Sequence, residues 1–327
     1  MSDENADVRD VLDALDALPG GQGLLLPDQI GAARDRIIPA PDWVRWTSDG
    51  LHRITGPLLP GELWLVAAQS GIGKTTFTLS AIHDWVQAGV KVCLVPTELE
   101  DWEARRALAC LAAGVDPGIA AANEWSEHAD GMTWMRKVDT ALRLQAQPPY
   151  SDHLLVLPYR EVNATVIAEA AAIAADFGAQ VFIVDHMDHL DYGKNVFGAS
   201  GKIARAGKAA AEEHAMTVVG MKQIHNDAAR GDPLARYFPP KLHQLQGGAL
   251  MGQNASVVMG LYRPLLPLVG DEGRKKLKAV RAHLIEPTEV LQWGVLGVVT
   301  VKHRRVGRLE GQRALLTLDN GKLRDRT

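Results

Sequence analysis

From Gly61 onward, short apolar runs alternate with longer stretches of helical period. The runs Leu63–Ala67, Val92–Val95, Leu154–Leu157, Val181–Val184, Thr217–Met221, Val257–Tyr262 and Val295–Val301 are predicted strands, and Ala314–Leu318 is a predicted edge strand. Between them the spacing predicts helices over 75–88, 101–114, 131–146, 164–177 and 202–214. Strands apolar on both faces and separated by helices imply an α/β fold: a mostly parallel sheet with helices on both faces. Upstream the pattern differs. Val8, Leu12, Leu15 and Leu18 recur at helical spacing among acidic residues, and Gly20-Gly21 closes that helix. Residues 19–60 carry Pro27, Pro39, Pro41, Pro57 and Pro60 and read as linker. The expected division is an N-terminal arm over 1–44 and one large domain over 45–327. So short a helix cannot bury its apolar stripe alone, and it is expected to dock on the main domain or on a neighbouring subunit.

Composition leaves this picture intact. Of the 327 residues, 46% are apolar and 23% charged, as in a folded globular chain. Cys93 and Cys110 make no disulfide framework, which fits a reducing compartment. No apolar run approaches the ~20 residues that span a bilayer, and the start Met1-Ser2-Asp3-Glu4 lacks a signal-peptide core. A cytoplasmic protein without a membrane partner is expected. Net charge is −4, yet residues 271–327 hold 13 Lys and Arg against 7 Asp and Glu, and residues 1–60 hold 5 against 10. The basic third is either a phosphate-facing surface or an ordinary solvated one, and charge alone does not choose.

The chemistry begins after the first strand. Ala68-Gln69-Ser70-Gly71-Ile72-Gly73-Lys74-Thr75 fits a P-loop, with Ala68 in place of the first glycine, and Thr76 follows within the helix. Gly71 and Gly73 let backbone N–H groups curl around phosphate oxygens. Lys74 offers a cation to the β- and γ-phosphates, and the Thr75 hydroxyl is a ligand for Mg²⁺. Asp185, closing the run Val181–Val184, is placed to order the metal, because strand ends line the crevice of such sheets. Hydrolysis also needs a group that polarises water. Glu98 and Glu100, after the strand 92–95, both qualify on position.

Taken together, these segments resemble the DnaB-like, superfamily 4 replicative helicases, whose motor is a RecA-like P-loop NTPase core. The resemblance lies in Gly61-Glu62-Leu63 leading into the P-loop, Val92–Leu99, Phe182-Ile183-Val184-Asp185-His186, Val218-Val219-Gly220-Met221-Lys222-Gln223, the segment 242–258, and Lys302-His303-Arg304. It covers roughly residues 45–320. It implies Glu98 as the catalytic carboxylate, Gln223 as a γ-phosphate sensor, and Lys302 with Arg304 as a pair reaching the nucleotide of the adjacent subunit. It further implies ATP and Mg²⁺ as cofactors, single-stranded DNA as partner, a hexameric homo-oligomeric ring, and a loader or primase as further partners.

The chain also departs from the family pattern. Only residues 1–60 precede the core, so no collar, primase or zinc-binding domain is expected. In the DNA-loop segment the family's Arg-Glu-Ser-Gly positions hold Gln246, Gly247, Gly248 and Ala249, which removes a cation while leaving backbone N–H groups for phosphate. The stretch 263–294 is longer than usual and carries Arg274, Lys275, Lys276, Lys278 and Arg281. Candidate DNA contacts are Lys194 and Lys202 in one loop region, and Arg230, Arg236, Lys241, Gln246, Gly247 and Gly248 in another. Tyr237-Phe238 either stacks on bases or packs its loop beside Pro239-Pro240. His186, His189 and His225 lack a matched ligand framework and are assigned no metal. Two alternatives share the core: a RecA/RadA-type recombination ATPase and a RecA-fold NTPase that ignores DNA.

Overall fold

A computed structural model describes residues 43–159, 161–187, 196–224, 237–245, 248–264, 275, 294–320 and 322–326. The helix expected over 3–18 and most of the expected linker lie outside them. The larger of two compact units runs from Val44 to Thr327.

Its strands are β1 (Leu63–Ala68), β2 (Val92–Pro96), β3 (Leu154–Val156), β4 (Val181–Asp185), β5 (Thr217–Gln223), β6 (Val257–Tyr262), β7 (Val295–His303), β8 (Arg313–Asp319) and β9 (Lys322–Asp325). They form one sheet in the order β3-β2-β4-β5-β1-β6-β7-β8-β9. Strands β1 to β6 pair in parallel, and β7 to β9 add an antiparallel margin. The helices are α1 (Asp49–Thr55), α2 (Lys74–Gln87), α3 (Asp101–Ala113), α4 (Pro117–Ala122), α5 (Gly131–Leu144), α6 (Tyr150–His153), α7 (Ala164–Phe177), α8 (Val196–Glu213) and α9 (Gly248–Asn254).

Alternate strand residues feed two cores. Trp64, Val66, Leu94 and Ile183 pack with Phe77 and Ile82 of α2 and Leu108 of α3. Leu65, Cys93, Phe182 and Val184 pack with Ile167 of α7, Ile203 of α8 and Met251 of α9. Because each parallel strand is covered on both faces, its sequence is a continuous apolar run rather than an alternating one. The buried Cys93 and Cys110 thiols are pushed up to about 12 and about 11 by loss of water, so both are inert packing groups.

Three expectations are corrected. Residues 44–58 are not linker. Val44, Trp46, Leu51, Ile54 and Leu58 are buried in the first core, and Val44 pairs with Leu58. Ser48 caps α1 by accepting from Leu51 N (3.0 Å), and Gly56, at φ 69°, ends it. The glycines and prolines here are caps and corners of packed structure, which composition alone cannot distinguish from a tether. Strand β8 is not the edge, since β9 pairs outside it. Helix α8 begins at Val196, ahead of the expected Lys202.

Trp46 gives the first correction an energetic test. Its ring lies 5.0 Å from Trp85, 5.8 Å from Phe77 and 6.1 Å from Trp64. Trp46→Ala is expected to cost about 3–5 kcal/mol of stability, the usual range for deleting a buried aromatic ring, measured by urea unfolding. A loss below about 1 kcal/mol, the scale of an ordinary surface change, would return this segment to the linker.

Candidate active site

The site lies at the carboxyl ends of adjacent parallel strands. In the spatial order β2-β4-β5-β1-β6 those ends lead to Glu98, Asp185, Gln223, the loop from Ala68 to Thr75, and Arg263. The chain leaves β1 for β2, beyond β5 and β4 in the sheet, and later fills the gap with those two strands. The crevice therefore opens where the connections diverge, as in other open α/β sheets.

The P-loop owes its shape to its glycines. Gly71 has φ 75° and Gly73 has φ 111°, both in the region where a side chain is strained. Ile72 between them is 1% exposed and anchors the loop in the core. Gly73 is the N-cap of α2, whose first residues are Lys74 and Thr75, so the helix dipole begins at the loop. Lys74 is buried, with Nζ 3.5 Å from Ala68 O. Gln69, Ser70 and Thr76 complete the loop rim and are partly or fully exposed. A cleft of about 230 Å³ lined by Thr75, Thr76, Leu99, Glu103 and Arg106 adjoins it. A larger cleft of about 640 Å³, between Gln87, Tyr150 and α5, contains none of these groups and has no part in the site.

Asp185 ends β4 opposite Pro96 of β2. Burial raises its carboxyl above the usual carboxylate range; His186, Lys74 and a hydrogen bond from Thr75 oppose that rise, and Glu98 adds to it. Asp185 Oδ1 is buried without a hydrogen-bond partner. An unpaired buried carboxylate oxygen beside a threonine hydroxyl fits a hard divalent cation such as Mg²⁺.

The two glutamates left open by position are separated by the structure. Glu98 Oε2 is 2.8 Å from His186 Nε2. Glu100 is instead the N-cap of α3, and its N–H donates to Glu103 Oε2 (2.8 Å). Gln223 lies level with Ala68 across the β1–β5 pairing.

Lys302 and Arg304 lie at the end of β7 and just beyond it, far along the chain from the P-loop. Lys302 Nζ donates to Gly252 O and, at 2.8 Å, to Ala255 O, and Arg304 Nη2 donates to Gln253 O at 2.6 Å. Both cations thus hold the terminal carbonyls of α9, a favourable place for positive charge. Burial, then Arg304, lowers the Lys302 pKa. Arg305 is held separately, with Nε 2.6 Å from Glu62 Oε1, while Glu62 Oε2 accepts from Trp64 Nε1.

Of the candidate DNA contacts, Lys194, Arg230, Arg236, Gln246 and Gly247 lie outside the described residues. Lys202 on α8 and Lys241 are exposed, and Gly248 opens α9. Tyr237 is buried, so it packs its loop rather than offering a face to bases. Arg274, Lys276, Lys278 and Arg281 are also outside the described residues, and Lys275 is exposed. Among the described residues no helix is long and apolar enough to cross a membrane.

Sequence reasoning missed Arg263. It follows β6, donates to Val295 O at 3.2 Å, and stands so close to the P-loop that a Cβ on Gly73 would be 3.3 Å from its Nη2. The available signal was its place immediately after an apolar run, the same signal that singled out Asp185.

A mostly parallel sheet with helices on both faces, a P-loop after its first strand and acidic groups on neighbouring strand ends define a RecA-like P-loop NTPase. Within that class, the family described as "DnaB-like helicase C terminal domain" matches residues 46–305, and the chain belongs to that family. It is 24% identical over 218 residues to "Replicative DNA helicase DnaB" of Leifsonia xyli subsp. xyli (strain CTCB07), a match covering 65% of this chain and 45% of that protein. The chain thus spans under half the length of that relative. Among solved structures it is similar to a DnaB-like replicative helicase described with its interactions with primase (TM-score 0.68, 16% identity, 99% of this chain and 73% of the other). It is also similar to a separately solved ATPase domain (TM-score 0.68, 16% identity, 92% and 98%). The RadB recombinase is a further fold relative (TM-score 0.51, 15% identity, 86% and 98%).

Proposed function

We propose that this chain is an ATP-driven motor that translocates on single-stranded DNA as a hexameric ring and thereby separates strands during replication. The observation that carries the reading is the convergence of Lys74, Thr75, Asp185 and Glu98 on one crevice of a DnaB-family domain. The P-loop N–H groups and Lys74 hold the β- and γ-phosphates, and Thr75 and Asp185 hold Mg²⁺, which would supply charge neutralisation when bound. Glu98 takes the proton of the attacking water. Gln223, on the strand beside the P-loop, senses the γ-phosphate. Lys302 and Arg304 complete the neighbouring subunit's site. Lys194, Lys202, Arg230, Arg236, Lys241, Gln246, Gly247 and Gly248 are the proposed DNA contacts, and a loader or primase is the further partner expected of a replicative motor.

The test is ATP turnover with and without single-stranded DNA, read beside particle images. Turnover is expected to rise with DNA, and rings are expected in the images. DNA affinity is expected to fall steeply with salt, because each phosphate contact releases counterions. Turnover indifferent to DNA would favour an NTPase that does not act on DNA. Filaments in place of rings would favour a recombination ATPase.

A further inference from the structure

Glu98 has a partner that the proposed mechanism leaves unused. We infer that His186 is a positioning residue: its imidazole N–H fixes one oxygen of Glu98 and leaves the other for the attacking water. The inference rests on the reading of Glu98 as the general base.

The backbone beneath the pair is held by one residue. Thr97 N donates to Asp185 O at 2.7 Å, Thr97 Oγ1 donates to the same carbonyl at 2.8 Å, and His186 N donates to Thr97 Oγ1 at 2.7 Å. Thr97 therefore grips the peptide between Asp185 and His186 from the end of β2. The next residue on each chain segment, Glu98 on one side and His186 on the other, is brought face to face.

The side chains follow. His186 Nε2 is 2.8 Å from Glu98 Oε2 and 4.0 Å from Asp185 Oδ1. Two lone pairs would repel at 2.8 Å, so Nε2 is the nitrogen that carries the proton. The His186 side chain is 8% exposed and that of Glu98 56% exposed. The imidazole is thus the fixed member and the glutamate the mobile one. Among the described residues Nε2 makes no aligned hydrogen bond, and Glu98 Oε2 at 2.8 Å is the near carboxylate that a small turn of the glutamate would bring into line. A buried donor without a partner is costly, so the contact is retained for want of any alternative. An exposed glutamate has three rotatable bonds, and a general base must stay within hydrogen-bond reach of its water. Misplacing a catalytic group by ~1 Å can cost about 10²-fold in rate.

The test uses the full chain and reads ATP turnover and KM for five variants. His186→Leu, which has no donor, is expected to lower kcat by about 10–100-fold with KM for ATP within about twofold, the signature of an interaction needed in the transition state and not for substrate binding. His186→Gln, whose amide N–H replaces Nε2–H, is expected to recover most of that loss. Combined with Glu98→Gln, the His186→Leu change is expected to add almost nothing, because the group it positions is already gone. Normal kcat in His186→Leu, a glutamine variant as slow as the leucine one, or losses that multiply in the double variant would overturn the inference. Glu98→Gln and Glu100→Gln alone separate this from failure of the underlying reading: if only Glu100→Gln is slow, Glu98 is not the base and the role of His186 falls with it. Far-ultraviolet circular dichroism and unchanged KM establish that each variant is folded.

Discussion

Arg304→Ala is expected to lower ATP turnover by roughly 10³–10⁵-fold, the range for removing an arginine finger, and mixing with a second inactive protein is expected to restore part of it. In phosphoryl transfer, charge spreads over the transferred oxygens, and a planar, permanently charged guanidinium matches that charge. Arg304 lies beyond β7, and β6 separates β7 from the P-loop strand. In the single chain its guanidinium is spent on Gln253 O, with Lys302 holding Gly252 O and Ala255 O. Acting on a neighbour, the pair would exchange carbonyl oxygens of α9 for phosphate oxygens. The experiment mixes Arg304→Ala with Lys74→Ala. Some interfaces in a mixed ring then combine an intact Lys74 with an intact Arg304. Partial recovery of turnover supports action between subunits. No recovery, with subunit exchange demonstrated, would sink the idea and leave Arg263 as the guanidinium of a site completed within one chain.

Lys74→Ala is the second large effect. Turnover is expected to fall by at least about 10²–10³-fold, the range for removing one preorganised group that stabilises transition-state charge, while the fold survives. Lys74 is the first residue of α2, where alanine is a good helix former. Its ammonium is 3.5 Å from Ala68 O and contributes to the field on Asp185, so its removal disturbs charge rather than a packed apolar contact. Turnover per chain, nucleotide binding and thermal unfolding are the three measurements. Near-normal turnover in a folded variant would mean that this loop does not hold the phosphates.

Much of the site is legible in the residues themselves. The P-loop is readable because phosphate binding needs glycines, a cation and a helix start in fixed succession, and local backbone chemistry alone imposes that order. Asp185 is readable because an acid closing an apolar strand has one natural place in a parallel sheet. The choice between Glu98 and Glu100 is not readable from spacing. Both follow β2 within a few residues, and only the direction of the chain as it enters α3 sends one toward Asp185 and makes the other a helix cap.

Periodicity and apolar runs determined, by themselves, the strands β1 to β8 and the five longer helices among them, but not the short helices α4, α6 and α9, because a strand covered on both faces must be apolar throughout whereas a turn or two of helix leaves no period to read. Tertiary structure alone decided which strand ends are neighbours. Five α-helices and a strand intervene along the chain between β2 and β4, yet Pro96 and Asp185 are side by side. Tertiary structure alone also drew residues 44–58 into the core. There Asp325 Oδ1, near the end of the chain, accepts from Ser48 Oγ at 2.6 Å and Gly50 N at 3.0 Å. The physical reason is the same in each case: backbone propensity acts over a few residues, whereas contacts made by Arg263, His186 and Asp325 exist only after distant segments have been packed together.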